Sequence, residues 1–363
     1  MGRKLAFDKT LFVVGVSLPL FGLVMIYSAS AVIAMEQFGS PHHFLFRQGF
    51  ALLIGLAAMG IAMHTDYRKL LERPSVYLVL LVSTALLVYV LFAEPHQGVH
   101  RWIRLGPIQI QPSEIAKLAL VMYLAYQLAR REKHVNDLGR TVLPCAVMVG
   151  QLALLVYLEP DLGTAGLYAL LAIIMLFLAG LKWRFLVAGA VVGLCALGLM
   201  ILQAPYRIQR ILSYLNPDAD PLGAGFQMRQ SIIAIASGGV RGASLGESRQ
   251  KLFFLPEPHT DFIFSVIAEE LGFVGAVGII VAFGVLLWRG VKAASGAPDR
   301  GGYYLALGIT LVIVLQAGMN IAVALGMIPT KGVPLPFISY GGSSLVVCLT
   351  ALGMLLNVSQ HSS

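Results

Sequence analysis

Asp261 stands where an acidic residue is costly, at the foot of an apolar run in GESRQKLFFLPEPHTDFIFSVIAEELG (246–272). Lys251, Glu257 and His259 precede it, and Glu269 and Glu270 follow two turns deeper. A carboxylate so placed can take a proton from an attacking hydroxyl, while nearby cations bind an anionic leaving group. Asp261 also follows Pro256 and Pro258 and precedes an apolar run, which reads equally well as a helix N-cap. His259 on its own says little. Glu269 and Glu270 either hydrogen-bond into neighbouring helices or face a cavity, because ionisable groups at membrane depth are expensive.

The cations that could serve such a carboxylate are scattered. HRWIRLGPIQIQPSEIAK (100–117) offers Arg101, Arg104 and Lys117. Pro112 suits a first helical turn, which puts Glu114 and Lys117 three apart on one face. They form either an ion pair that staples this helix to its neighbours, or a site where Lys117 helps Arg101 and Arg104 hold an anion. Trp102 reads as an interfacial anchor. Arg207 and Arg210 open a long connection. IPTKGVPLPFISYGGSS (328–344) brings Lys331, either a solvated loop charge or a second phosphate-facing cation. In EPDLGTA, Glu159 and Asp161 flank one proline, and Asp161 fits a tight turn with a helix cap. The set suits a lipid-linked phosphate or pyrophosphate substrate, yet it could also carry ions or lipids across a bilayer.

Only 12% of the 363 residues are charged and 58% are hydrophobic, with a mean hydropathy of +0.80. A soluble domain carries roughly twice that charge fraction, so the chain is expected to be an all-α polytopic membrane protein. Ten stretches are long and apolar enough to span: about 10–34, 45–63, 75–93, 112–130, 141–158, 162–181, 184–203, 262–288, 302–326 and 335–357. The first is too long for a signal-peptide core and reads as a retained span. The soluble segments are too short for a second domain, so residues 1–363 form one transmembrane unit. Cys145, Cys195 and Cys348 lie in apolar runs and show neither disulfide nor metal-ligand spacing.

Lys and Arg crowd the N-terminus and alternate loops (Arg3, Lys4, Lys9; Arg68, Lys69, Arg73; Arg130, Arg131, Lys133, Arg140; Lys182, Arg184; Arg289, Lys292, Arg300). The opposite short loops hold Arg47, Arg101, Arg104, Lys117 and Lys331. Both termini are therefore expected in the cytoplasm, with the long connection 204–261 outside. Its apolar part, within 227–242, is too short to span and is expected to lie in or dip into the outer interface. Basic residues that anchor topology account for the net charge of +8 without any nucleic-acid partner.

At these motifs the chain resembles the SEDS (shape, elongation, division and sporulation) family of glycosyltransferases. The resemblance covers nearly the whole chain and rests on HRWIRLGPIQIQPSEIAKL, EPDLGTA, DADPLGAGFQ, RQKLFFLPEPHTDFIFSVIAEELG and PTKGVPLPFISYGGSS. HRWIRLGP, RQKLFFLPE and PTKG look more like the division branch than the elongation branch, with the sporulation branch also open. Pro258 departs from the small residue expected before the His-Thr-Asp triplet. The resemblance implies polymerisation of lipid II into peptidoglycan strands at the outer face of the bacterial cytoplasmic membrane, at the septum, with release of undecaprenyl pyrophosphate. It implies Asp261 as the catalytic residue, either a general base or a ligand of an assisting divalent cation (Mg or Mn). Arg101, Trp102, Glu114 and Lys117 match a motif tied to activity. Lys117, Arg210 and Lys331 are inferred pyrophosphate contacts, and Lys251 and His259 complete the substrate-binding set. The implied partners are a class B penicillin-binding transpeptidase of the FtsI type and other divisome membrane proteins. A lipid II flippase and a non-catalytic scaffold stay open as alternatives.

Overall fold

The computed structural model describes residues 7–93, 100–105, 108–203, 205–215, 224–248, 257–330 and 332–362. Lys251 and Lys331 lie outside them. The described chain is built from helices: α1 (Lys9–Phe38), α2 (His43–His64), α3 (Tyr67–Leu70), α4 (Arg73–Phe92), α5 (Pro112–Arg130), α6 (Leu143–Leu158), α7 (Leu162–Leu178), α8 (Trp183–Leu202), α9 (Pro205–Leu215), α10 (Ala224–Gly238), α11 (Ile263–Ser295), α12 (Arg300–Ala324) and α13 (Gly342–His361). A short hairpin, β1 (Ile103–Leu105) and β2 (Ile108–Ile110), pairs antiparallel with Ile103 opposite Ile110.

Each of the ten expected stretches overlaps a helix, the last beginning at Gly342 rather than near 335. Among the described residues, eight are long and apolar enough to cross a membrane: α1, α2, α4, the helical stretch Leu138–Leu158, α8, α11, α12 and α13. Helix α7 is apolar but has only 17 residues. Helix α5 carries Glu114, Lys117 and Arg130 and is not one of the eight. It is instead the most enclosed, with Leu120, Val121, Leu124 and Leu128 fully buried between α4 and α12. Helix α13 lies along α2 and closes the core, its Gly353 packed directly on the Met59 carbonyl. Small residues permit such close approach where no hydrophobic effect drives helices together.

Loops expected in the cytoplasm gather at one end of the bundle. Arg289 Nε donates to Asp8 Oδ2 (2.7 Å), Arg68 Nε pairs with Asp299 Oδ2 (3.2 Å), and Arg300 meets Glu132 Oε1 (2.8 Å). Tyr67 N donates to Asn357 Oδ1 (3.0 Å), tying α3 to the end of α13.

The connection 204–261 is not the featureless loop its length suggests, since it contains α9 and α10. Helix α10 does not rest on a surface: Ser231 Oγ reaches Ser265 Oγ (2.6 Å) and the Ala324 carbonyl (2.7 Å) inside the bundle. The chain after α10 then enters a break in α11. Gly272 (φ 67°, ψ −164°) interrupts the helix. The orphaned donors Phe273 N and Val274 N bond to the carbonyls of Gly239 (2.8 Å) and Val240 (3.4 Å). The orphaned carbonyls of Glu269 and Glu270 accept from Ala243 N (3.0 Å) and Ser244 N (3.2 Å). Non-helical backbone at membrane depth requires partners of this kind. Gly242, at φ 80°, lies so close to the Glu270 carbonyl that no side chain fits.

Candidate active site

Asp261 does not cap α11. The N-cap is Phe262, without a side-chain bond, and the Asp261 carboxylate is left for other use. The turn that carries it is tied to the rest of the bundle through its main-chain carbonyls. Tyr340 N donates to the His259 carbonyl (2.9 Å), Ser339 Oγ to the Thr260 carbonyl (2.6 Å), and Asn320 Nδ2 to the Asp261 carbonyl (2.8 Å). Gln48 braces the other side, donating to the Ser339 carbonyl and accepting from Gly341 N, both at 3.2 Å. Three consecutive carbonyls are thus fixed by the 339–340 turn and α12.

Among the described residues the Asp261 carboxylate makes no hydrogen bond or ion pair. Burial pushes its pKa from 3.8 up to about 7, aided by the charges of Asp161 and Glu257 and opposed by Arg101 and Arg210. A group near neutrality can accept and return a proton. The Gly332 backbone passes beside Asp261 Oδ2: a Cβ placed on Gly332 would lie 3.3 Å from that oxygen.

Arg101 donates through Nε to the Glu159 carbonyl (2.7 Å) and through its terminal nitrogen to the Pro160 carbonyl. It therefore ties the β-hairpin to the EPD turn while its charge still bears on Asp261. Trp102, next to it, is half-buried. Asp161 is the cap its sequence suggests, accepting from Thr164 N (3.1 Å) and Thr164 Oγ1 (2.9 Å). Glu159 is a surprise. Its side chain is fully buried, neither carboxylate oxygen has a partner among the described residues, and burial together with Asp161 lifts its pKa to about 9 against the pull of Arg101. It is a neutral acid at pH 7 behind the site. The adjacent acids in EPD were the only sequence signal for it.

His259 is enclosed between the rings of Phe44 (4.5 Å) and Tyr340 (5.4 Å), its Nε2 3.6 Å from Glu257 Oε2. Burial lowers its pKa to about 4, so it is no cation for an anionic substrate and its place is in the wall of the site.

Lys117 is engaged by neighbouring side chains. Its Nζ lies 2.9 Å from both Glu114 carboxylate oxygens and also bonds Gln316 Oε1, and the side chains of the pair are only 6% and 3% exposed. Ser344 Oγ donates to Glu114 Oε2 (3.1 Å), bringing in α13. Of the two readings of this pair, the geometry supports the staple. Arg210 sits exposed on α9, near enough for its charge to reach Asp261. Arg207 turns inward to the Met200 carbonyl (2.7 Å). Glu269 and Glu270 lie apart at the α11 break, where Ser248 bonds Glu269 and Ser28 Oγ donates to Glu270 (2.7 Å). Among the described residues no three His, Cys, Asp or Glu side chains converge as a metal cage.

A family model described as cell cycle protein, covering FtsW, RodA and SpoVE, matches residues 8–363. The chain belongs to this family. It is 44% identical to stage V sporulation protein E of Bacillus subtilis over 363 residues, covering 99% of each chain. It is also 44% identical to the probable peptidoglycan glycosyltransferase FtsW of Geobacter metallireducens, over 97% of this chain and 94% of that one. Among solved structures, Thermus thermophilus RodA superposes with a TM-score of 0.72 at 31% identity, over 98% of this chain and 97% of that chain. A chain from a peptidoglycan synthase complex that coordinates polymerization and crosslinking gives 0.78 at 32% identity, over 98% of both. As a member of the FtsW/RodA/SpoVE family, the chain is a multi-pass membrane protein.

Proposed function

We propose that the protein is a peptidoglycan glycosyltransferase that polymerises lipid II at the outer face of the cytoplasmic membrane, with Asp261 as general base. The observation that carries the chemistry is the Asp261 carboxylate, rigidly based yet unpartnered among the described residues, within electrostatic reach of Arg101 and Arg210. The acceptor sugar hydroxyl gives its proton to Asp261 as its oxygen bonds the anomeric carbon of the donor. The bond from that carbon to the pyrophosphate breaks, and undecaprenyl pyrophosphate leaves with the negative charge. Arg210, exposed on α9 with its charge felt at Asp261, meets that charge. Base catalysis of this type contributes roughly 10²- to 10⁴-fold.

A divalent ion fits the donor set in a limited way: Asp261 offers one carboxylate, which suits a magnesium-like ion that takes its other ligands from water and phosphate rather than a protein cage. Such an ion would neutralise charge on the pyrophosphate. Relatives at 44% identity carry the FtsW and the stage V sporulation names, and the FtsW name supports a role in septal synthesis. A class B penicillin-binding transpeptidase is the proposed partner, in keeping with the match to a complex that joins polymerization to crosslinking.

One observation favours a second reading, a lipid II flippase: a broken membrane helix with Glu269 and Glu270 at its break is a feature of transporters. One experiment separates the two. The purified protein with its transpeptidase is supplied with lipid II in detergent and, separately, in one leaflet of liposomes. Glycan polymer supports the enzyme; translocation without polymer would establish the flippase instead.

A further inference from the structure

The Asp261 turn and the 332–333 backbone come from distant parts of the chain, yet one side chain joins them. Asn320 Nδ2 donates to the Asp261 carbonyl at 2.8 Å and to the Val333 carbonyl at 2.9 Å. An amide nitrogen carries two protons, so both are used, one on each segment. The flipped amide would set its oxygen against two carbonyls, so the bonds themselves fix the orientation. Gln316, one turn earlier on α12, donates to the Pro334 carbonyl (2.9 Å) and keeps the second segment in register.

Asn320 also bears a penalty an apolar residue would avoid. It is 1% exposed, and its Oδ1 has no partner among the described residues. A buried unsatisfied acceptor is destabilising. The double donation is what offsets it.

We propose that Asn320 is a positioning residue for the transfer reaction: it holds the Asp261 carboxylate at a set distance from the 332–333 backbone that passes beside Oδ2. Ser339, on the Thr260 carbonyl, is the second anchor of the same turn. The proposal rests on the reading of Asp261 as general base. Asn320 touches no substrate in this account; it acts through Asp261, and displacement of a reacting group by about 1 Å can cost 10²-fold in rate.

The test uses the full chain with its transpeptidase partner and measures initial polymerisation rates over lipid II concentration and pH. Asn320→Leu removes both donors at similar volume, and kcat should fall 10- to 100-fold with KM for lipid II within about threefold. The acidic limb of the kcat profile should move to lower pH, because a loosened Asp261 gains water. Ser339→Ala gives a further route to the same loosening if the leucine variant does not fold. A folded variant with kcat within twofold of wild type overturns the proposal, as does a rate loss matched by lost lipid II binding with the pH limb unmoved. Asp261→Asn in parallel keeps the two readings apart. If it is inactive while the Asn320 variant is normal, the base stands and the positioning role falls; if it is active, the base reading itself falls.

Discussion

Glu114 and Lys117, three residues apart on α5, face each other at 2.9 Å with almost no exposure, and the same lysine bonds Gln316 on α12. Breaking a buried pair from one side leaves an uncompensated charge, so Lys117→Ala should cost about 3–5 kcal/mol of stability. The double variant Glu114→Leu with Lys117→Met should recover most of that loss. Thermal unfolding in detergent measures both, and unchanged lipid II affinity in the folded double variant would exclude Lys117 from substrate binding.

The raised pKa of Asp261 gives activity a pH dependence of known sign. A base must be ionised, so kcat/KM should climb about tenfold per pH unit below about 7 and level off above it. Polymer formation followed from pH 5 to 9 reads the midpoint directly. A limb near pH 4 would mean that Asp261 titrates like an exposed carboxylate.

The same shift makes Asp261 a liability to the fold. Between its unfolded value of 3.8 and its folded value of about 7, the folded state holds a proton that the unfolded state releases. Stability contributed by the neutral form is present at low pH and is lost as pH rises through that window. Asp261→Asn should therefore melt a few degrees higher than wild type at pH 8 and nearly level with it at pH 4.

Helix α11 depends on two glycines where the 239–244 chain enters its break. Gly242→Ala would put a methyl group against the Glu270 carbonyl at φ 80°, combining strain of roughly 1–3 kcal/mol with a backbone overlap that cannot relax cheaply. The expected result is a large drop in melting temperature, with Gly278→Ala, whose added Cβ meets nothing, as the control.

Hydropathy found the eight described helices long and apolar enough to cross a membrane, because a span needs a long apolar run and little else does. Spacing likewise paired Glu114 with Lys117, since three residues make one turn. Distant contacts were illegible for the opposite reason. Nothing in GMNIAVA says that Asn320 meets a carbonyl 59 residues earlier in the chain, or that Ser339 reaches Thr260 across 79. Asp261, preceded by two prolines, resembles a cap until its backbone is seen pinned two residues before the helix starts. The Gly272 break hides inside a continuous apolar run, where hydropathy registers no change. Helix α9 and the bounds of α10 are hard to read because residues 204–261 are rich in turn signals, although Arg207 and Arg210 stand one turn apart.

The measurement closest to the central claim is glycan polymerisation by the purified protein and its transpeptidase partner, wild type beside Asp261→Asn, at pH 8 and saturating lipid II. Loss of the base predicts at least a 10²-fold lower kcat in a variant that stays folded and still binds lipid II. Polymer formed by that variant at the wild-type rate would contradict the account.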